Sequence, residues 1–502
     1  MICVSLGRSR HKMMIAEHQA LAKKGAQLVE LRLDWLGNPP ELGRLLKDRP
    51  TPVVVTCRRG QDKGLWKFSE EQRQTLLRSA IVAGVDYVDL EEDVAQTIRR
   101  YGPTKRIVSH HDFEQTPENL AEIHARLAKL DPDIVKLVTL AKTPADNIRM
   151  LQLVQSARVP TIGFCMGDLG VWSRVLCAKY GSPFTYATFS SERQLAPGQL
   201  TFEDMRDVFH FDQINAQTEV LAVVADPVAH SLSPQIHNAA LRAVGRNAVY
   251  VPMRIPRDEL AETLGHFEWL GVRGYSVTLP HKVDALGVAR VHHGSVARIG
   301  ALNTLYRGPG GGWEGANTDC DAALESLRLA LSGQATVPPG SEDVLTGKRV
   351  LLLGAGGVSR AIACGLQEAG AVVTITNRTR AKAQELARQL GCLQVGWENR
   401  GATGCDILIN CTSVGMHPKL DETPFAANWL TDTTTVFDTV YTPERTLLIA
   451  QARERGCKTV TGVEMFVRQA ARQFRLFTGV DAPMDVMRQA LRKAISAVKV
   501  QG

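Results

Sequence analysis

The 502-residue chain has no run of about 18 apolar residues, the length a helix needs to cross a bilayer. Its longest apolar stretches, such as Val350–Leu353, are strand-sized. The opening MICVSLGRSR lacks the charged start, long apolar middle and cleavage site of a signal peptide. Ten cysteines contain no CxxC pair and no regular spacing, which fits reduced thiols better than a zinc site or disulfide framework. There is no basic block and no basic run interleaved with aromatics, so nucleic acid is not an expected partner. Glycine (42) and proline (23) are near average usage, which removes low-complexity readings. What remains is an ordinary globular composition, 44% apolar and 22% charged, with 59 basic against 52 acidic residues and a net charge of +7. That mild excess suits small anionic substrates. At roughly 100 to 200 residues per domain the length implies two or three domains.

Over the first 200 residues a short β-rich run is followed, eight times, by a longer segment with helical spacing. The runs are Ile2–Leu6, Leu28–Leu33, Pro52–Cys57, Tyr87–Leu90, Arg106–Ser109, Ile134–Thr139, Thr161–Cys165 and Phe184–Thr188. Segments such as Glu70–Ala83 and Thr116–Leu130 carry apolar residues at three- and four-residue steps. Eight such units predict an α/β fold of the (β/α)8 TIM-barrel type, with its site at the C-terminal strand ends; a doubly wound sheet is the alternative. The polar stretch Phe211–Thr218 marks a boundary, and Ser332–Lys348, rich in Gly, Pro and Ser, reads as a connecting loop. The expected units are residues 1–215, a substrate lobe at 219–335, and a Rossmann nucleotide lobe at 345–502 with C-terminal helices returning to the substrate lobe.

Lys136 sits inside the apolar strand DIVKLVT. Burial there favours the neutral amine, the form that attacks a ketone; an outward-facing lysine reaching solvent is the alternative. Polar groups gather at neighbouring strand ends: Glu30 and Arg32 in ELRLD, Arg58 in TCR, Glu91 in DLE, and His110 and His111 in SHHDF. Because side chains alternate along a strand, one of the two histidines faces the barrel mouth, and spacing alone does not choose between them. Arg174 and Gln199 follow the last two strands.

The series ELRLD, TCR, SHHDF, DIVKLV, SR and APGQ resembles the type I 3-dehydroquinate dehydratases over essentially all of residues 1–210. The resemblance implies Schiff-base chemistry at Lys136 on 3-dehydroquinate, His111 as general acid and base, and Ser5, Glu30, Arg32, Arg58, Arg174 and Gln199 as substrate-binding positions. It also places Asp62 where the family often has a histidine-positioning glutamate, one methylene longer. Leu195 stands where the family's SAPGQ has a hydroxyl, a loss of about 0.5 to 1.5 kcal/mol unless Ser190 or Ser191 substitutes.

In the second half, VLLLGAGGVSRA sets Gly354 and Gly356 between a buried strand and a helix, the context that gives a glycine turn meaning as a pyrophosphate site. The next strand ends in Asn377 and Arg378 where an NAD enzyme usually carries an acid. NRTRAK therefore offers Arg378, Arg380 and Lys382 to a 2′-phosphate and points to NADP; a basic, exposed helix start is the alternative. Lys282 in GYSVTLPHK and Asp319 in ANTDCDA are two charges that, if paired, hold and pass a proton. DPVAHSLSPQIHNAAL, GYSVTLPHK, GALNTL, ANTD, GAGGVSRA, NRT, NCTSVGM, FDTVYTPERTLL and GVEMFVRQA are similar to the shikimate dehydrogenases. That resemblance implies Lys282 and Asp319 as the catalytic pair, and Ser231, Ser233, Thr278, Asn303, Tyr441 and Gln469 as binders of 3-dehydroshikimate or shikimate. For NADP(H) it implies Gly354, Ala355, Gly356, Gly357, Val358, Ser359, Asn377, Arg378, Thr379, Lys382, Val440 and Gly462. Ser276 and Glu464 are closer to the plant-type fusion, which also carries the dehydratase first.

The product implied for the first half is the substrate implied for the second, so the expectation is a fused enzyme of aromatic biosynthesis, with no metal and no membrane partner. A monomer is compatible with everything in the sequence. A chain opening directly on its first strand, without an Arg- and Ser-rich leader, is expected in the cytosol. The competing readings are an inactive barrel serving as scaffold, a dehydrogenase preferring quinate and NAD, and a nucleotide-sensing module.

Overall fold

The computed structural model describes residues 1–333 and 343–501. Its first sheet has eight parallel strands: β1 (Ile2–Leu6), β2 (Leu28–Arg32), β3 (Val53–Thr56), β4 (Tyr87–Glu91), β5 (Lys105–Asp112), β6 (Ile134–Leu140), β7 (Thr161–Met166) and β8 (Thr185–Thr188). Their order is β7-β6-β5-β4-β3-β2-β1-β8, a nearly closed barrel and not a doubly wound sheet. Among the described residues β7 and β8 share no ladder; Gly167 N donates to Pro197 O (3.2 Å) across that seam.

Strand alternation explains how the barrel interior is built. Cys3, Leu28, Val54, Ile107, Ile134, Ile162 and Phe184 pack together inside it. Two residues further along the same strands come Ser5, Glu30, Thr56, Ser109, Lys136, Phe164 and Tyr186, and all are buried. Since i and i+2 share a face, an apolar lower layer places a largely polar one directly above it. Outside, helices cover the strands, and local chemistry sets where they start. Helix Glu70–Val82 begins at Ser69, whose Oγ accepts from Gln72 N (3.2 Å) while Gln72 Oε1 accepts from Ser69 N (3.1 Å), a reciprocal capping box.

The second sheet is mixed: β9 (Glu219–Ala225), β10 (Ala248–Arg254), β11 (Gly274–Val277), β12 (Val291–His292), β13 (Thr304–Arg307) and β14 (Trp313–Ala316), ordered β10-β9-β11-β13-β14-β12. Helix Thr318–Ser332 leads out of it. Of the loop expected at Ser332–Lys348, residues 334–342 lie outside the described residues, and the end expected for the substrate lobe at residue 335 falls among them. The third sheet is fully parallel: β15 (Arg349–Leu353), β16 (Val372–Thr376), β17 (Leu393–Gln394), β18 (Ile407–Asn410), β19 (Thr435–Asp438) and β20 (Lys458–Val460). Its order β17-β16-β15-β18-β19-β20 is the dinucleotide-binding order, with the crevice between β15 and β18.

Helices Gly462–Thr478 and Met484–Gln501 return to the second sheet. There Val467, Ala470, Phe474, Met487 and Leu491 share a core with Ile236, Ala240 and Tyr250. The outer layer of the barrel likewise merges with the second sheet in one hydrophobic cluster, which includes Trp172, Tyr180, Val251 and Phe267.

Candidate active sites

The first site is a cavity at the C-terminal strand ends of the barrel. Ser5, Glu30, Arg32, Arg58, Asp62, His111, Lys136, Arg174 and Gln199, all singled out from sequence, line it together with Tyr186, Leu195 and Ala196. Lys136 is buried, yet its surroundings are not the apolar pocket expected from its strand. Its Nζ donates to Asp89 Oδ2 (2.9 Å) and lies 3.9 Å from Glu30 Oε1. Asp89 Oδ1 accepts from Arg58 (3.0 Å) and from Ser109 Oγ (2.6 Å). Burial opposes the charged carboxylate of Asp89, but Lys136 and Arg58, with His111 behind them, outweigh it and hold the group well below the usual carboxylate range. Glu30 is fixed by Ser5 Oγ (2.6 Å) and Thr56 Oγ1 (2.7 Å).

Of the two histidines, His111 lines this cavity. Burial, reinforced by the nearby Arg58 and Lys136 cations, holds it well below the ordinary histidine value of 6.5, so the ring is neutral. Arg58 donates from a terminal nitrogen to His111 Nδ1 (3.0 Å), which puts the ring proton on Nε2. Asp62 lies on the cavity wall, but its carboxylate is engaged by Arg59. Direct positioning of His111 therefore comes from Arg58 and not from the shorter acid at 62. Arg32 makes a two-pronged pair with Asp34 (2.9 and 2.8 Å). Arg174 is different: burial, with no carboxylate beside it, pushes it down to about 10, its Nε has no partner, and one terminal nitrogen donates to Pro197 O (3.2 Å). Gln199 Oε1 accepts from Leu195 N (3.0 Å), so the wall segment is tied by a backbone bond at the position where SAPGQ sequences carry a side-chain hydroxyl.

Asp89, Ser109 and Tyr186, whose ring lies 4.0 Å from Lys136 Nζ, were not singled out from sequence. A signal existed for Asp89, which stands two residues before Glu91 in VDLEE and so shares its inward face.

In the second half the two expected charges meet: Lys282 Nζ donates to Asp319 Oδ2 at 2.6 Å. Asp319 opens helix Thr318–Ser332, and the preceding Thr318 N donates to Asn303 Oδ1 (2.8 Å). Gln473, missed from sequence, donates to Asn303 O (3.0 Å) and accepts from Ser276 Oγ (2.7 Å), which in turn accepts from Tyr250 (2.6 Å). Gln469 lies one turn earlier on the same helix and donates to Phe466 O (3.0 Å), and the ring of Phe466 packs on Tyr441 (4.6 Å). Ser231 Oγ accepts from Ser233 N (3.3 Å) at the entry to helix Ser233–Ala243. Thr278, half-buried, follows β11. Ser231, Ser233, Thr278, Tyr441 and Gln469 make no hydrogen bond to the side chains of the Lys282–Asp319 pair among the described residues.

The glycine turn follows β15. Gly354 has φ +113°, and a Cβ there would stand 2.9 Å from Cys411 O. Around Gly356 and Gly357 the corresponding space is open, and Gly356 N donates to Ser359 Oγ (3.3 Å). Ala355 and Val358 complete this strand-to-helix turn. After β16, Asn377 Nδ2 donates to Thr379 O (3.0 Å). The side chains of Arg378, Arg380 and Lys382 are exposed and have no ion pair among the described residues. Gly462 comes so close to Val440 that a Cβ would lie 2.4 Å from its carbonyl oxygen. An open backbone at a helix start with free cations beside it fits a dinucleotide phosphate. Among the described residues no group of His, Cys, Asp and Glu is arranged to hold a metal ion, and no helix is long and apolar enough to cross a membrane.

Comparison with known proteins matches the type I 3-dehydroquinase family over residues 2–216, the shikimate dehydrogenase substrate-binding domain over 223–305, the shikimate/quinate 5-dehydrogenase family over 340–417 and the shikimate 5′-dehydrogenase C-terminal domain over 462–492. The chain is 38% identical, over 98% of its length and 84% of the relative's, to the chloroplastic bifunctional 3-dehydroquinate dehydratase/shikimate dehydrogenase of Arabidopsis thaliana. It is 39% identical over 56% of its length to the shikimate dehydrogenase (NADP(+)) of Methanosarcina mazei, 99% of which is covered. A crystal structure of a shikimate dehydrogenase in complex with NADP+ superimposes with a TM-score of 0.51 at 32% identity, covering 56% of this chain and 97% of that one. With both halves matched in order along one polypeptide, the chain belongs to the family of fused type I 3-dehydroquinate dehydratases and shikimate dehydrogenases.

Proposed function

We propose that the chain dehydrates 3-dehydroquinate to 3-dehydroshikimate in the barrel and reduces that product to shikimate in the second half with NADPH. The observation that carries the first reaction is the buried Lys136 amine in one cavity with a neutral His111 and the acid-free Arg174.

In this reading the substrate carboxylate pairs with Arg174; Lys136 passes a proton to His111, its free amine adds to the ketone carbon, and the carbinolamine hydroxyl takes that proton and leaves as water to form the imine. The imine draws electrons from the adjacent carbon, whose proton passes to His111. The resulting enamine expels the neighbouring hydroxyl, which leaves as water with a proton from His111, and hydrolysis of the imine restores Lys136. His111 can take up a proton only when Arg58 releases Nδ1 or the ring changes tautomer, so binding must rearrange that contact. Asp89 keeps the amine aimed into the cavity.

In the second half Gly354 to Ser359, Asn377 to Lys382, Val440 and Gly462 are the residues proposed to hold NADPH, which supplies a hydride when bound. Lys282 donates the proton that the reduced oxygen needs, and the bond to Asp319 keeps its side chain oriented. Ser231, Ser233, Thr278, Asn303, Tyr441 and Gln469 are proposed to hold the ring substituents. The units proposed are 1–215, 219–335 and 345–502. A reducing compartment, the cytosol, is proposed on the ten cysteines, none of which is in a disulfide.

A coupled assay with dehydroquinate and NADPH, reading both the intermediate and shikimate, tests both halves. Borohydride added with dehydroquinate should trap a covalent adduct on Lys136; its absence in a protein active as a dehydrogenase leaves the barrel as a scaffold. An Arg378→Ala variant should lose kcat/KM for NADPH and not for NADH; a parent protein that prefers NAD or quinate overturns the cofactor and substrate assignment.

A further inference from the structure

The barrel lacks a ladder between β7 and β8, and the element at that opening is the six-residue helix Val171–Leu176, which carries Arg174. A helix this short has its place set by what it packs on, not by its own propensity. Inside the barrel little fixes the guanidinium: it lies over the Phe164 ring at 4.4 Å, makes one bond to Pro197 O and has no acid partner. From outside, the helix is held by the other module. Trp172 is fully buried and meets Phe267 edge-to-face at 5.2 Å, and Tyr180, just beyond the helix, stacks on Trp269 at 4.5 Å. Asp168, in the loop before the helix, pairs with Arg254 (3.6 Å), which also holds Asp226 (2.7 Å). Phe267 and Trp269 lie in the turn Phe267–Leu270 of the second sheet's module, and Arg254 ends β10.

Trp172 and Arg174 are two residues apart, about 200° around a helix, so one faces the neighbouring module while the other faces the cavity. We propose that the dehydrogenase's substrate lobe positions Arg174 for the dehydratase, with Phe267 as the positioning residue and Arg254 as a second tie. The dehydratase thus depends on its fusion partner for the orientation of its carboxylate-binding group. The inference rests on the reading of Arg174 as that group.

The test is made on the full chain with Phe267→Leu, Arg254→Met, Arg174→Met and the Phe267→Leu/Arg174→Met double variant. Phe267→Leu should raise the KM for dehydroquinate about 10- to 100-fold, with kcat and the borohydride-trapped fraction of Lys136 kept within about twofold. Arg254→Met should shift KM the same way by a smaller factor. Arg254 is half-buried and carries the test if Phe267→Leu does not fold. In the Arg174→Met background the Phe267→Leu effect on KM should vanish, because both act through one group. The proposal is overturned if KM is unchanged in Phe267→Leu and Arg254→Met, if the same increase persists without Arg174, or if trappable Lys136 is lost at constant KM, the mark of a purely structural role. An unchanged KM in Arg174→Met alone sinks the assignment of Arg174 and the coupling with it.

Discussion

Asp89→Asn puts the charged network of the barrel to its sharpest test. The carboxylate accepts from Lys136 (2.9 Å), Arg58 (3.0 Å) and Ser109 (2.6 Å), and all four residues are buried. An amide of the same shape keeps one oxygen and turns an NH2 toward a cation, so one positive group loses its partner. Removing one member of a buried ion pair costs about 3 to 5 kcal/mol. Glu30, 3.9 Å from Lys136, and Glu91, 3.9 Å from Arg58, offer partial replacements and place the expected loss near the lower end. With an m-value of about 2 to 3 kcal/mol/M the urea midpoint falls by about 1 to 1.5 M. The assay is urea unfolding followed by tryptophan fluorescence, with dehydrogenase activity read in parallel to report the other sheets. The pH dependence has a definite sign. A carboxyl held below its unfolded value stabilises fully above about pH 4 and loses that contribution as pH falls toward its folded value. The gap between parent and variant should therefore be constant from pH 8 to 5 and narrow below 4. A midpoint within about 0.3 M of the parent at pH 7, far less than the m-value argument requires, refutes the network as a stabilising ion-pair cluster.

Replacing Lys282 by Met should lower dehydrogenase kcat by about 10² to 10⁴ while the dehydratase half-reaction is unchanged; equal loss in both half-assays would mean a folding defect. Gly354→Ala forces a side chain onto φ +113° against Cys411 O, a cost of about 1 to 3 kcal/mol, read as a higher KM for NADPH in steady-state kinetics with dehydroquinate turnover intact. Because burial and the Arg58 and Lys136 cations hold His111 below 6.5, the base form persists into mild acid. The His111 titration read by NMR should therefore have its midpoint below pH 6.5, and a midpoint at or above that value contradicts the assigned environment.

Much of both sites was legible because the signals are local. Ser5, Glu30, Lys136 and the residues beside them could be placed at one mouth because each strand alternates, and an apolar residue two positions back marks which face is inward. The glycine turn was legible because its strand-to-helix context is contiguous. Asp62 lies on the cavity wall as its place after TCR implies, and its carboxylate pairs with Arg59, three residues back on a tight turn. Lys136 was read as desolvated from its own strand, while the carboxylates beside it come from β2 and β4.

By itself the sequence determined the eight β-then-α units, the dinucleotide-binding segment, and which residue types stand at each strand end, since these depend on periods of two and 3.6 and on contiguous motifs. Only the tertiary structure decided that Asp89 joins Lys136 to Arg58, that Gln473 braces Asn303, and that the segment at the open edge of the barrel packs through Trp172 and Tyr180 on Phe267 and Trp269 of the other module. Those contacts depend on strand register, barrel closure and module docking, which bring together residues dozens to hundreds of positions apart, and no local pattern encodes which side chains then meet.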